Sequence, residues 1–174
     1  MYFIQMSGFP GSGKSTLAKE IASRENMIIV DHDIVKSALI NSITEKAIDF
    51  QITGQIAYDV DWALIEFYLA QSRSVILDSP CLYEELVEKG VELAARFNVK
   101  YKYIECYIDD YNLINDRLAK RERLISQIPQ IHSKEAFEYT IQNSKKPDNF
   151  ETLKVDTNQP LSKYFPKVIE YIMK

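Results

Sequence analysis

Nine consecutive residues near the start of the chain, Gly8-Phe9-Pro10-Gly11-Ser12-Gly13-Lys14-Ser15-Thr16, carry the spacing G-x-x-x-x-G-K-[ST]. Glycines in such a turn let the backbone curl until successive N–H groups converge on one anion. A helix starting directly afterwards adds the positive end of its dipole. Lys14 then reaches the terminal phosphates as a point charge, and the Ser15 hydroxyl is offered to Mg²⁺. A nucleoside triphosphate is therefore expected on Gly8, Pro10, Gly11, Ser12, Gly13, Lys14, Ser15 and Thr16, with ATP and Mg²⁺ as cofactors. A dinucleotide fingerprint also expects an acid about twenty residues further on, where Asp33 stands. Its glycines run G-x-G-x-x-G, however, whereas here they run G-x-x-G-x-G, and a Lys-Ser pair has no task in that scheme.

Three further clusters could do chemistry. The first is "VDHDIVK", Val30 to Lys36, with a histidine between two carboxylates. Zinc is a poor reading of Asp31-His32-Asp33, because successive side chains diverge and the other histidine of the chain is His132. Asp33 suits the N-cap of a helix over Ile34–Ile40, and also the role of general base; the two are compatible. The second is "SVILDSP", an apolar run closed by Asp78, where a carboxylate can join Ser15 on magnesium, line the acceptor pocket, or simply turn the chain with Ser79-Pro80. The third is "DDYNLINDRLAKRERL". Arg117 and Arg121 stand four apart, on one helical face, either as part of a solvated charged surface with Asp116 and Glu122 or as phosphate ligands. Asp109 and Asp110 read as caps and Arg123 as surface.

The elements that must position these groups alternate. Short apolar runs at Tyr2–Ser7, Met27–Val30, Ser74–Leu77, Lys100–Ile108 and Leu153–Val155 read as buried strands. Helical periods lie between them at Gln55–Ser72, Leu82–Phe97 and Leu161–Met173. In the first of these, Ile56, Val60, Ala63, Leu64 and Phe67 form the stripe expected to face the core. The alternation predicts an α/β fold with a parallel sheet of about five strands, and ligands beyond the carboxyl ends of the strands. With 174 residues, no repeat and no linker, one domain over 1–174 is expected, its polar stretch Asn143–Asn149 a loop within it.

Composition narrows the classes. A net charge of −4 supplies no global basic field and argues against nucleic acid or an anionic membrane as partner. Two well-separated cysteines, Cys81 and Cys106, fit reduced thiols in the cytoplasm better than a disulfide scaffold. The start "MYFIQMSGFPG" lacks a basic n-region, and no apolar run approaches a membrane span. Nothing in the residues speaks for an oligomeric state.

"GFPGSGKST" followed by "DHDIVK" resembles the small P-loop kinases, in the branch of AAA-like predicted kinases around polynucleotide 5′-kinase, zeta-toxin and chloramphenicol phosphotransferase. The resemblance implies a three-layer P-loop sandwich with a small helical lid, at about 117–135. It implies that Asp33 is the general base for an acceptor hydroxyl and that Lys36, on the same helix, accompanies it at the acceptor. It also implies that Arg121 and Arg117 act catalytically with Lys14, opening the lid and reaching the transferring phosphoryl group, and that Asp156-Thr157 forms part of the adenine site. Asp78 belongs to the metal or the acceptor.

The function expected from these readings is an ATP-dependent phosphotransferase moving the γ-phosphate to a hydroxyl of a small molecule. A polynucleotide 5′-hydroxyl kinase is the alternative within the class. A P-loop switch that hydrolyses ATP or GTP to drive a partner is the alternative outside it, but it needs a water-orienting residue rather than a base for an alcohol. The acceptor pocket is shaped by 41–58 and the lid, where no motif names a substrate.

Overall fold

The computed structural model describes residues 1–43 and 50–174. Twelve elements follow one another: β1 (Tyr2–Ser7), α1 (Lys14–Glu25), β2 (Ile28–Asp31), α2 (His32–Ser42), α3 (Phe50–Ala70), β3 (Val75–Asp78), α4 (Glu84–Arg96), β4 (Lys100–Tyr107), α5 (Tyr111–Lys120), α6 (Lys134–Gln142), β5 (Thr152–Asp156) and α7 (Leu161–Met173). The strands form one sheet in the order β2-β3-β1-β4-β5, every pair parallel. Strands lodged between two helical layers bury both faces, and so read as unbroken apolar runs rather than alternating ones.

Two cores sandwich the sheet. On one side Phe3, Val75, Leu77 and Tyr103 pack against Trp62, Ile65 and Leu69 of α3 and Leu86, Val87 and Leu93 of α4. On the other, Ile4, Met6, Ile76 and Ile104 meet Leu17 and Ile21 of α1 and Val168 and Ile172 of α7. A third, smaller cluster, Ile108, Ile114, Leu118, Ile131 and Phe137, ties α5 and α6 to the rest. The three layers match the expected architecture. Within the expected lid, 117–135, helix is confined to the two ends; residues 121–133 are turn and irregular chain. Among the described residues no helix is long and apolar enough to cross a membrane.

The face of α3 differs from the expectation. Ile56, Val60 and Phe67 are 41%, 37% and 59% exposed, and the buried stripe is instead Thr53, Ala57, Asp61, Trp62, Ile65 and Leu69. The helix is apolar on both flanks, so period alone selects neither. Trp62 and Ile65 bury more surface than the alternative stripe, and Asp61 has a partner inside.

Candidate active site

The phosphate loop leaves the central strand β1 and enters α1. Gly8, Gly11 and Gly13 all have positive φ, at 133°, 86° and 88°. Gly8 is also forced by proximity: a Cβ there would lie 2.1 Å from the Cys106 carbonyl oxygen and 2.7 Å from Ser12 Oγ. Two bonds pin the curl to segments that follow β3 and β5, and a third closes it on itself. Gly8 N donates to Pro80 O at 3.1 Å, Ser12 N to Phe9 O at 3.0 Å, and Thr157 Oγ1 to Ser12 O at 2.6 Å. Gly13 caps α1 without any side-chain bond, which leaves the first-turn N–H groups open to an anion.

Lys14 lies across this curl. Its buried ammonium donates to Gly8 O at 2.9 Å and Phe9 O at 3.3 Å. Burial lowers its pKa, the carboxylates of Asp78 and Asp33 oppose that, and the Arg121 charge adds to it. Asp78, at the end of β3, is held above the usual carboxylate range by burial, against the pull of Lys14 and of a hydrogen bond from Ser15. Asp31 sits beside it in the sheet register, and burial with the charge of Asp78 pushes its carboxyl up to about 6.

Acid is thus in excess over Lys14 at the mouth of the loop, which is a field that a divalent cation relieves. Ser15 and Asp78 are the residues that would hold Mg²⁺, completed by phosphate oxygens. Among the described residues no set of three His, Cys, Asp or Glu side chains could hold a metal by itself.

The Asp31-His32-Asp33 triplet divides its labour. Asp31, not Asp33, is the N-cap of α2: its Oδ1 accepts from Asp33 N at 2.9 Å and Ile34 N at 3.3 Å. The helix starts two residues earlier than the cap reading of Asp33 required, because Asp31 keeps extended backbone at the strand end. His32 turns inward. Its Nδ1 lies 2.7 Å from Asp61 Oδ2, and its ring stacks on Tyr58 with centroids 3.8 Å apart. Asp33, relieved of capping, faces the lid segment, where Gln127 Nε2 donates to its Oδ2 at 2.8 Å and Ser126 Oγ to its Oδ1 at 3.3 Å. Lys36 is half-buried on the next turn; burial lowers its pKa and Asp33 opposes the shift.

The arginine pair separates. Arg121 caps the C-terminus of α5 and donates from Nη2 to Ile128 O at 3.1 Å, while its buried Nε has no partner. Burial lowers its pKa and the charge of Asp33 raises it, so it belongs to the same electrostatic cluster as Lys14 and Asp33. Arg117 does not reach that cluster as expected. Its Nη2 donates to Thr157 O at 2.9 Å, toward the loop after β5. An i, i+4 pair shares a face only while the helix lasts, and Arg121 is already past the end.

Four residues that matter here were not singled out beforehand: Asp61, Tyr58, Ser126 and Gln127. Asp61 had a signal, as one of two carboxylates, with Asp59, among the apolar positions of "YDVDWALI". The lid pair had none, because its partner lies 94 residues upstream for Gln127. Cys81 and Cys106 are buried free thiols, and burial pushes both up to about 12, away from nucleophilic chemistry.

A family model described as an AAA domain matches residues 3–140, a span that takes in the phosphate loop, Asp33, Asp78, both arginines and the lid segment. The chain belongs to this AAA-domain family. Its fold is that of the small P-loop kinases. A candidate kinase from Chloroflexus aurantiacus superposes with a TM-score of 0.77 at 17% identity, covering 98% of this chain and 97% of the other. A gluconokinase from Sinorhizobium meliloti superposes at 0.64 with 16% identity, covering 98% and 90%. At such identities the likeness is one of fold. A cytidylate kinase from Mycoplasmopsis agalactiae is 25% identical over 108 residues, which is 62% of this chain and 48% of the relative, so the chain matches about half of that protein's length.

Proposed function

We propose that this P-loop kinase transfers the γ-phosphoryl group of ATP to a hydroxyl of a small-molecule acceptor, with Asp33 as general base. One observation carries the reading. Asp31 takes over the cap, so the Asp33 carboxylate is left free of it and close enough for its charge to act on both Lys14 and Arg121. The acceptor hydroxyl gives its proton to Asp33 as its oxygen bonds to phosphorus, and the bridging oxygen leaves with the electron pair as ADP. The open N–H groups of α1 and Lys14 hold the phosphates, and Arg121 leans on the charge that spreads over the moving group. Mg²⁺, held by Ser15 and Asp78, supplies charge neutralisation when bound. Arg117 with Thr157 shapes the nucleotide's far end, and Lys36 faces the acceptor. Names of the neighbours support the class: a gluconokinase carries phosphate to a sugar acid, as its name says.

The test is ADP release with magnesium and ATP, alone and against a panel of sugars, polyols, nucleosides and a 5′-hydroxyl oligonucleotide. A kinase shows acceptor-stimulated release and a phosphorylated product; a switch hydrolyses regardless of acceptor. Asp33→Asn abolishes transfer and leaves ATP binding nearly intact, whereas Lys14→Ala weakens both. Equal transfer by wild type and Asp33→Asn refutes the base.

A further inference from the structure

Both oxygens of the Asp33 carboxylate carry lid donors, and those donors are held rigidly. Arg123 Nη1 donates to Gln127 O at 2.8 Å, and Gln127 N donates to Leu124 O at 3.1 Å. Leu124 N donates to the Gln127 side-chain oxygen at 3.2 Å. With Oε1 occupied by a backbone N–H, the amide nitrogen is the end that must face the carboxylate, and it does so at 2.8 Å. Ser126 completes the latch: its Oγ lies 3.1 Å from Asp33 O and accepts from Ser37 Oγ at 2.8 Å, while its N donates to Ser37 Oγ at 3.3 Å.

An acceptor hydroxyl must come to the same distance from the same oxygen to lose its proton there. Gln127 Nε2 therefore takes up one of the Oδ2 lone pairs that an acceptor's O–H would use, and acceptor and amide compete there. Water is the competing nucleophile. A single water bonded to Asp33 is too small to reach many of the other side chains around it, so it recovers little for displacing an amide tied at both ends. An acceptor with further groups that meet side chains of α2, α3 and the lid recovers what the latch loses.

We infer that Gln127 is a specificity-determining residue of this site: a resident stand-in for the acceptor hydroxyl that keeps water from the general base until a larger alcohol replaces it. The inference rests on the reading of Asp33 as base. When the stand-in is removed, the side reaction is hydrolysis. Water gives a proton to Asp33, its oxygen bonds to the γ-phosphorus, and ADP leaves with the bridging electron pair.

Acceptor-independent release of ADP and phosphate from Mg·ATP tests this. Gln127→Ala raises that rate about ten-fold or more, the weight of one charge-assisted hydrogen bond. Gln127→Met, which keeps length and loses the donor, does the same and serves if the alanine variant fails to bind a fluorescent ATP analogue. Adding Asp33→Asn to either brings the rate back to wild type or below. A rate no higher than wild type in a variant that still binds nucleotide overturns the inference, as does a rise that survives Asp33→Asn. The two readings fail separately: transfer retained by the single Asp33→Asn variant removes the base, whereas an unmoved hydrolysis rate alongside an inactive Asp33→Asn removes only the stand-in.

Discussion

His32 and Asp61 offer the sharpest test of how α2 is held against α3. Asp61 is 0% exposed, accepts from His32 Nδ1 at 2.7 Å through Oδ2, and leaves Oδ1 without a partner. His32→Phe keeps a ring for the stack on Tyr58 but strands the carboxylate. Removing one member of a buried pair costs about 3–5 kcal/mol, because the remaining charge stays desolvated. For a domain whose whole stability is about 5–15 kcal/mol, that is a large share. With a urea dependence of about 2 kcal/mol per molar, the unfolding midpoint falls by roughly 2 M. The double variant His32→Phe with Asp61→Leu removes the stranded charge and recovers most of the loss.

The pH dependence has a definite sign. Burial holds the Asp61 carboxyl above the usual range, and the bond and charge of His32 oppose that. An acid raised by folding contributes stability below its ordinary pKa of about 4, and this is lost as pH rises through the folded value. Deleting His32 removes the opposition, so the penalty of His32→Phe is small near pH 4 and grows toward pH 7. Urea titrations at pH 4, 5, 6 and 7 measure it. A midpoint within about 0.5 M of wild type at pH 7, or a penalty flat across the series, refutes the argument.

Two further outcomes are expected. Gly8→Ala forces a methyl group to within 2.1 Å of a backbone carbonyl at a φ of 133°, which cannot be relieved by a side-chain rotation. The variant loses at least ten-fold in affinity for a fluorescent ATP analogue and melts earlier by an amount corresponding to about 1–3 kcal/mol; wild-type affinity would disprove the need for that close approach. Asp31→Asn retains the N-cap of α2, since asparagine caps as well as aspartate, but removes the charge facing Asp78. In metal-free buffer the wild type loses stability relative to this variant as pH rises from about 4 through about 6, the folded value of Asp31, and thermal melts that run parallel over that window would contradict it.

What could be read in the chain divides along a physical line. The phosphate loop was legible because its function is local: successive backbone N–H groups must converge on one anion, and glycines at positive φ permit that curl, so the requirement is written in adjacent letters. Strands β1 to β5 were legible for a related reason, since burial on both faces leaves short runs with no polar alternation. The face of α3 was not, because two apolar stripes compete and only the sheet decides which is covered. That Asp33 is free of the cap was not legible either, because it depends on Asp31 keeping extended backbone at the strand end. Asp61 and Gln127 meet their partners across 29 and 94 residues, and no periodicity encodes such a meeting.

The legible and illegible halves also divide the chemistry. Under the proposed function, Lys14, Ser15 and Asp78 would serve the phosphates, which every nucleotide triphosphate presents alike, so one short pattern suffices for all of them. Asp33, His32 with Asp61, and Gln127 would serve the acceptor, and their arrangement depends on how α2 is docked on α3 and how residues 121–133 return across it. Acceptor choice is therefore set by packing between distant segments rather than by a motif. Changing the alcohol this fold accepts should then require substitutions on α2, α3 and the lid together, and leave the phosphate loop untouched.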